Sequence, residues 1–271
     1  MKARRPGIAG LLMPAVILVL VQTTAADAAR QKAPTITVTV LNKTYYGEGH
    51  FPSDTYHTLI CTWKATDADS VAIIGTAYEN EKAEGTVELP AGNYIFVASG
   101  PGGVAFMPVG VEVTSRKGTG LDGQIYSFKE QFNPDIFSQF SYKSEVAVKA
   151  GANPRAVIIR HLQALGYPAA EADAPAQIPN GTFVYTPGYN PHPSLNQTPE
   201  DLARNGELKR QAALIVMLRP RGNTHDLYVL GVVLKNRPRQ DRKWSFDPSG
   251  FQLVLPLCKT VADSIASEIS R

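Results

Sequence analysis

The chain has 271 residues, 44% of them hydrophobic, with 27 Lys and Arg against 24 Asp and Glu. That apolar content excludes wholesale disorder. Residues 1–28 hold three of the basic residues and one of the acidic ones, so the rest carries 24 against 23, a balance that excludes a general electrostatic grip on nucleic acid or acidic lipid.

The chain opens with a basic start (Lys2, Arg4, Arg5), an apolar stretch from Ile8 to Val21 and the small-residue run Ala26-Asp27-Ala28. This order predicts a secretory signal peptide over residues 1–28, cleaved after Ala28. The apolar core, about 14 residues interrupted by Pro14, falls short of the ~20 that a spanning helix needs. No cysteine lies beside the cleavage point, so a lipid anchor is not expected. The product is expected in the periplasm or secreted, with no integral membrane segment after cleavage. About 243 residues then remain, enough for one large domain or two of roughly 100 to 150.

From Pro34 to about Ser115 short strands follow one another. Thr35 to Val40 alternates polar and apolar side chains as a half-buried strand does. Thr58 to Lys64, Ser70 to Gly75, Gly85 to Leu89, Asn93 to Ser99 and Val104 to Val113 come next, with turns at Pro90-Ala91-Gly92 and Gly100-Pro101-Gly102-Gly103. Strands spaced at roughly 8 to 12 residues predict an antiparallel sandwich. Period-two alternation puts Leu59, Cys61 and Trp63 on one face, the buried one. Cys61 and Cys258 have two open fates in an oxidising compartment: one disulfide, or two separate thiols, with Cys61 acting as a small core hydrophobe. The Trp63 strand, the Asn93–Ser99 strand and the Gly100–Gly103 turn, followed by Val111-Glu112-Val113, resemble the bacterial immunoglobulin-like repeats of envelope proteins. The resemblance covers about 80 residues and implies a sandwich over 29–115, used as a spacer, adhesion module or carbohydrate binder.

Ser115 to Gly123 is polar, Gly-rich and aperiodic, placing a linker at 116–123 before an α+β domain over 124–271. Tyr142 to Lys149 reads as a strand. Asn153-Pro154 starts a helix striped by Ile158, Leu162 and Leu165, and Gly166 stops it. Thr198-Pro199-Glu200-Asp201 starts a short helix to about Leu208. Ala212 to Leu218 and Leu227 to Leu234 form a hairpin through Arg221-Gly222-Asn223. Phe251 to Leu255 reads as another strand, and Val261, Ile265 and Ile269 stripe a terminal helix capped by Thr260. In element order this half is similar to the small periplasmic α+β domains of envelope-assembly factors, of the kind at the amino terminus of TolB.

No catalytic constellation emerges. His50, His57, His161, His192 and His225 form no paired helical zinc motif, so no metal is assigned. His161 reads as a packing histidine on its helix stripe, and His225-Asp226 as a hairpin turn. No Gly-x-Ser-x-Gly occurs, and Gly100–Gly103 lacks the Lys and the helix of a phosphate loop, so no cofactor is assigned. Two segments are candidate binding surfaces. Thr186 to Ser194 is stiffened by proline and carries Tyr189 and His192. Lys235 to Lys243 gathers five cations in nine residues (Lys235, Arg237, Arg239, Arg242 and Lys243) beside Trp244.

These readings lead to an exported, non-catalytic cell-envelope protein with a binding or scaffold role, its partner another envelope protein or cell-wall glycan. A cell-wall hydrolase using His161 or His225, with the sandwich as accessory module, and a secreted glycan-binding adhesin are the alternatives.

Overall fold

The structure, a computed structural model, describes residues 32–45, 57–117, 124–130, 132–137, 140–167, 181–186, 195–237 and 243–270. The leader expected over 1–28 lies outside them. The fold is mostly β, with several antiparallel sheets and a long C-terminal helix.

The first sheet runs in the order β1 (Thr35–Tyr45), β2 (His57–Thr66), β4 (Glu84–Pro90). Alternation aims Leu59, Cys61 and Trp63 of β2 inward, as expected, beside Val87 and Leu89 of β4. Gly85 stands opposite Trp63, and a Cβ there would lie 2.3 Å from the indole, so the tryptophan requires a glycine across the strand.

The second sheet runs β3 (Ser70–Ile74), β5 (Asn93–Gly100), β6 (Gly103–Lys117), β7 (Gln124–Glu130). One face, with Val71, Ile73, Phe96 and Ala98, closes a sandwich against the first sheet. The opposite face, with Ala72, Ile74, Ile95, Val97, Val104 and Phe106, is buried as well, against a third sheet. Double-sided burial explains why Val71–Ile74 and Tyr94–Ala98 are continuous apolar runs without alternation. Lys117 pairs with Gln124, so the segment expected as a linker joins two strands of one sheet.

The third sheet is ordered β12 (Trp244–Phe246), β11 (Thr224–Asn236), β10 (Lys209–Arg221), β9 (Thr182–Tyr185), and β8 (Ser141–Val146) pairs with the first half of β11. The expected β10–β11 hairpin is present, its turn closed by Gly222 at φ +60°. Ile215, Met217, Tyr228, Leu230 and Val232 meet the second sheet, while Leu214, Val216, Leu227 and Val229 meet the helices. The expected segments 29–115 and 124–271 thus share one core.

Helix α1 (Pro154–Ala164) starts as expected, the Asn153 side chain accepting the Ala156 N–H at 3.2 Å, and Gly166 follows its end at φ +80°. Ile158 and Leu162 are buried, but Leu165 is the C-cap residue and 42% exposed, so the expected stripe is one residue too long. Helix α2 (Pro199–Asn205) is short. The strand expected at Phe251–Leu255 is instead the beginning of helix α3 (Phe251–Ile269). Phe251, Val254, Cys258, Val261, Ala262, Ile265 and Ile269 make one buried stripe, and Pro256 sits inside the helix. Thr260, expected as the cap, is mid-helix, its hydroxyl donating to the Pro256 carbonyl at 3.1 Å. At Gly231, β11 meets this helix so closely that a Cβ would lie 2.4 Å from Val254 and 3.0 Å from the Cys258 sulfur.

Candidate functional site

Strand β12 folds back along the end of β11, pairing Leu234 with Phe246, Lys235 with Ser245 and Asn236 with Trp244. This pairing closes the basic segment at both ends and brings Lys235, Arg237 and Lys243 to one concavity of about 220 Å³. Glu79, Asn80, Ser245 and Phe246 complete its lining. Glu79 and Asn80 belong to the loop after β3, where Gly75 takes φ +94° and Ile73 donates its N–H to the Tyr78 carbonyl at 2.7 Å. The Val71–Glu81 bridge, with N–H···O distances of 2.9 and 2.7 Å, fixes the far end of that loop. The concavity therefore lies where the second and third sheets meet.

Two sets of polar contacts hold it there. The Trp244 N–H donates to Asp69 at 3.0 Å, and its carbonyl accepts from Ser70 at 2.7 Å and Ser99 at 3.3 Å. Beneath the concavity Asp247 is buried, accepting from Arg210 Nε at 3.0 Å and Ser249 at 2.7 Å, with Lys235 Nζ at 3.7 Å. Burial pushes the Asp247 carboxyl up, but the bonds from Ser249 and Arg210 and the charges of Lys235 and Arg210 outweigh it and hold it below its ordinary value. Lys235 is thereby anchored between a buried carboxylate and the open rim.

Of the expected binding residues, Arg237 and Lys243 are brought together here. Trp244 anchors through its backbone, while its ring packs half-buried against the core rather than being displayed. Arg239, Arg242, Tyr189 and His192 lie outside the described residues. The possible disulfide between Cys61 and Cys258 is absent. Both thiols are free and buried, Cys61 between the first two sheets and Cys258 between α3 and the third sheet. Burial raises them to about 11 and about 12, so neither is a nucleophile at neutral pH.

His225-Asp226 is not in a turn. Asp226 is buried within β11 and pairs with Lys143 at 3.3 Å and Arg221 at 3.5 Å. Tyr228 donates to Asp135, which also pairs with Lys143 at 2.9 Å and Arg219 at 3.1 Å. Burial and the bond to Asp135 raise the Tyr228 phenol to about 12, and the bond to Asp135 raises Lys143. These groups satisfy one another and clamp the 3₁₀ turn Pro134–Phe137 over the core. His161, half-buried, faces Glu268 at 3.7 Å between α1 and α3.

Glu79, Asn80 and Arg210 carry no local pattern that links them to the basic segment, and Ser245 and Asp247 follow it directly without one that marks them as its partners. Only Asp247-Pro248-Ser249 hints at a turn acceptor. Among the described residues, no group of His, Cys, Asp and Glu is arranged for a metal ion, and no helix is long and apolar enough to cross a membrane. No protein-family profile matches the chain, and no curated protein is significantly similar to it.

Proposed function

We propose that this chain is an exported, non-catalytic cell-envelope protein that binds an anionic envelope component, protein or glycan, through the concavity between β11, β12 and the loop after β3. One observation carries the reading: Lys235, Arg237 and Lys243 converge on a single recess that Glu79 and Asn80 also line. A solvated charge run spreads its cations apart. Here β-pairing and the Asp247 anchor gather them. The export part of the proposal rests on the basic, apolar and small-residue order of residues 1–28.

Attraction at an exposed rim is screened over about 10 Å at 0.1 M salt, so binding is expected to weaken as salt rises. The experiment is co-sedimentation of the purified protein with envelope fractions at 50 and 300 mM salt, using wild type and the double charge reversal Arg237→Glu/Lys243→Glu. Salt-sensitive retention that the reversal abolishes supports the proposal. Retention equal in wild type and variant contradicts it.

A further inference from the structure

We infer that the group received by this concavity is a carboxylated sugar residue of an acidic glycan, an inference that rests on the anion-binding reading above. At about 220 Å³ the recess is smaller than the roughly 300 to 1,000 Å³ of pockets that enclose a whole ligand, so it suits one residue of a longer chain. Its lining is of two kinds. Lys235, Arg237 and Lys243 supply charge-assisted donors for a carboxylate. Glu79, Asn80 and Ser245 supply a carboxylate acceptor, an amide and a hydroxyl, the groups that pair with sugar hydroxyls.

Glu79 separates this chemistry from that of phosphate. A site built for a phosphate dianion or a polyphosphate gains from cations alone and loses by a carboxylate in its wall, whereas a sugar brings hydroxyl donors that Glu79 accepts. An acidic peptide fits less well. The edge of β11 beside the recess is already paired with β12, and the Trp244 N–H and carbonyl are engaged by Asp69, Ser70 and Ser99. Strand addition, the usual way an extended peptide gains affinity, finds those backbone groups occupied. Recognition is left to side chains, as with a glycan.

The test is calorimetric titration of the purified protein, at low salt, with a hexuronic acid tetrasaccharide, the same tetrasaccharide with its carboxyls reduced to alcohols, inorganic phosphate, and an acidic peptide. Wild type is expected to bind the hexuronate at least tenfold more tightly than its reduced form. Glu79→Gln, an exposed substitution, is expected to weaken hexuronate binding several-fold while leaving phosphate binding equal or stronger, because it removes an acceptor and a repulsive charge together. Binding of peptide or phosphate without hexuronate overturns the sugar inference and leaves the anion-binding proposal standing, as does a Glu79→Gln variant that binds hexuronate and phosphate equally more tightly. Failure of every anion to bind overturns both.

Discussion

Replacing Arg210 with alanine tests the anchor beneath the concavity. Arg210 Nε lies 3.0 Å from Asp247, whose side chain is only 4% exposed, so the substitution leaves a buried carboxylate without its closest cation. Breaking a buried pair in this way costs about 3 to 5 kcal/mol. Lys235, still 3.7 Å away, supplies attraction of about 4 kcal/mol at an effective dielectric of ~20, which places the expected loss near the lower end, about 3 kcal/mol at pH 7. The pH dependence has a definite sign. In the wild type the folded-state pKa of Asp247 is depressed, so its stabilisation is present above the unfolded carboxyl pKa and is lost as pH falls through the folded one. Without Arg210 the upward push of burial has less opposing it, so the folded pKa rises and the deficit of the variant shrinks as pH falls from 7 towards 4.5. Urea denaturation of both proteins at the two pH values measures this. A loss below about 1 kcal/mol at pH 7, or a deficit unchanged at pH 4.5, would show that Arg210 does not hold the buried Asp247 charge.

The interface between β11 and α3 predicts that Gly231→Ala lowers stability by about 1 to 3 kcal/mol, because the added methyl meets Val254 at 2.4 Å and the helix must shift; thermal unfolding reads this as a lower Tm. Pro256→Ala in α3 should raise stability by about 1 to 3 kcal/mol by restoring a helical donor, checked by urea midpoints. Cys61 and Cys258 should resist alkylation in the native protein and both react after denaturation without reductant, with mass spectrometry counting the adducts.

Much of the fold is legible wherever one face of an element is buried. Leu59, Cys61 and Trp63 alternate because β2 has a wet side, and Asn153-Pro154 marks its helix by local hydrogen bonding alone. Phe251–Leu255 misleads because an apolar run ending at Pro256 resembles a strand stopped by proline, whereas its true partners, Cys258 and Val261, lie one and two turns further on. The shared core is hidden for a different reason. Burial of Ser70–Ile74 on both faces depends on strands β9 to β12 of the third sheet, more than 100 residues away in sequence, as the Ser70–Trp244 bond illustrates. Site residues follow the same rule: the Lys235–Lys243 charge run is visible in the sequence, but Glu79 reaches it only through tertiary packing, and Asp247, four residues past Lys243, meets Lys235 only because β12 folds back on β11.

A photo-crosslinking residue at Asn80 reports whether the recess lined by Lys235, Arg237, Lys243 and Glu79 contacts an anionic envelope component. Capture in intact cells of an acidic envelope component is expected, lost when Arg237→Glu and Lys243→Glu are added and reduced at high salt, with none from the same probe at Asp263 on the exposed side of α3. Equal capture at the two positions, or capture indifferent to the charge reversal, contradicts it.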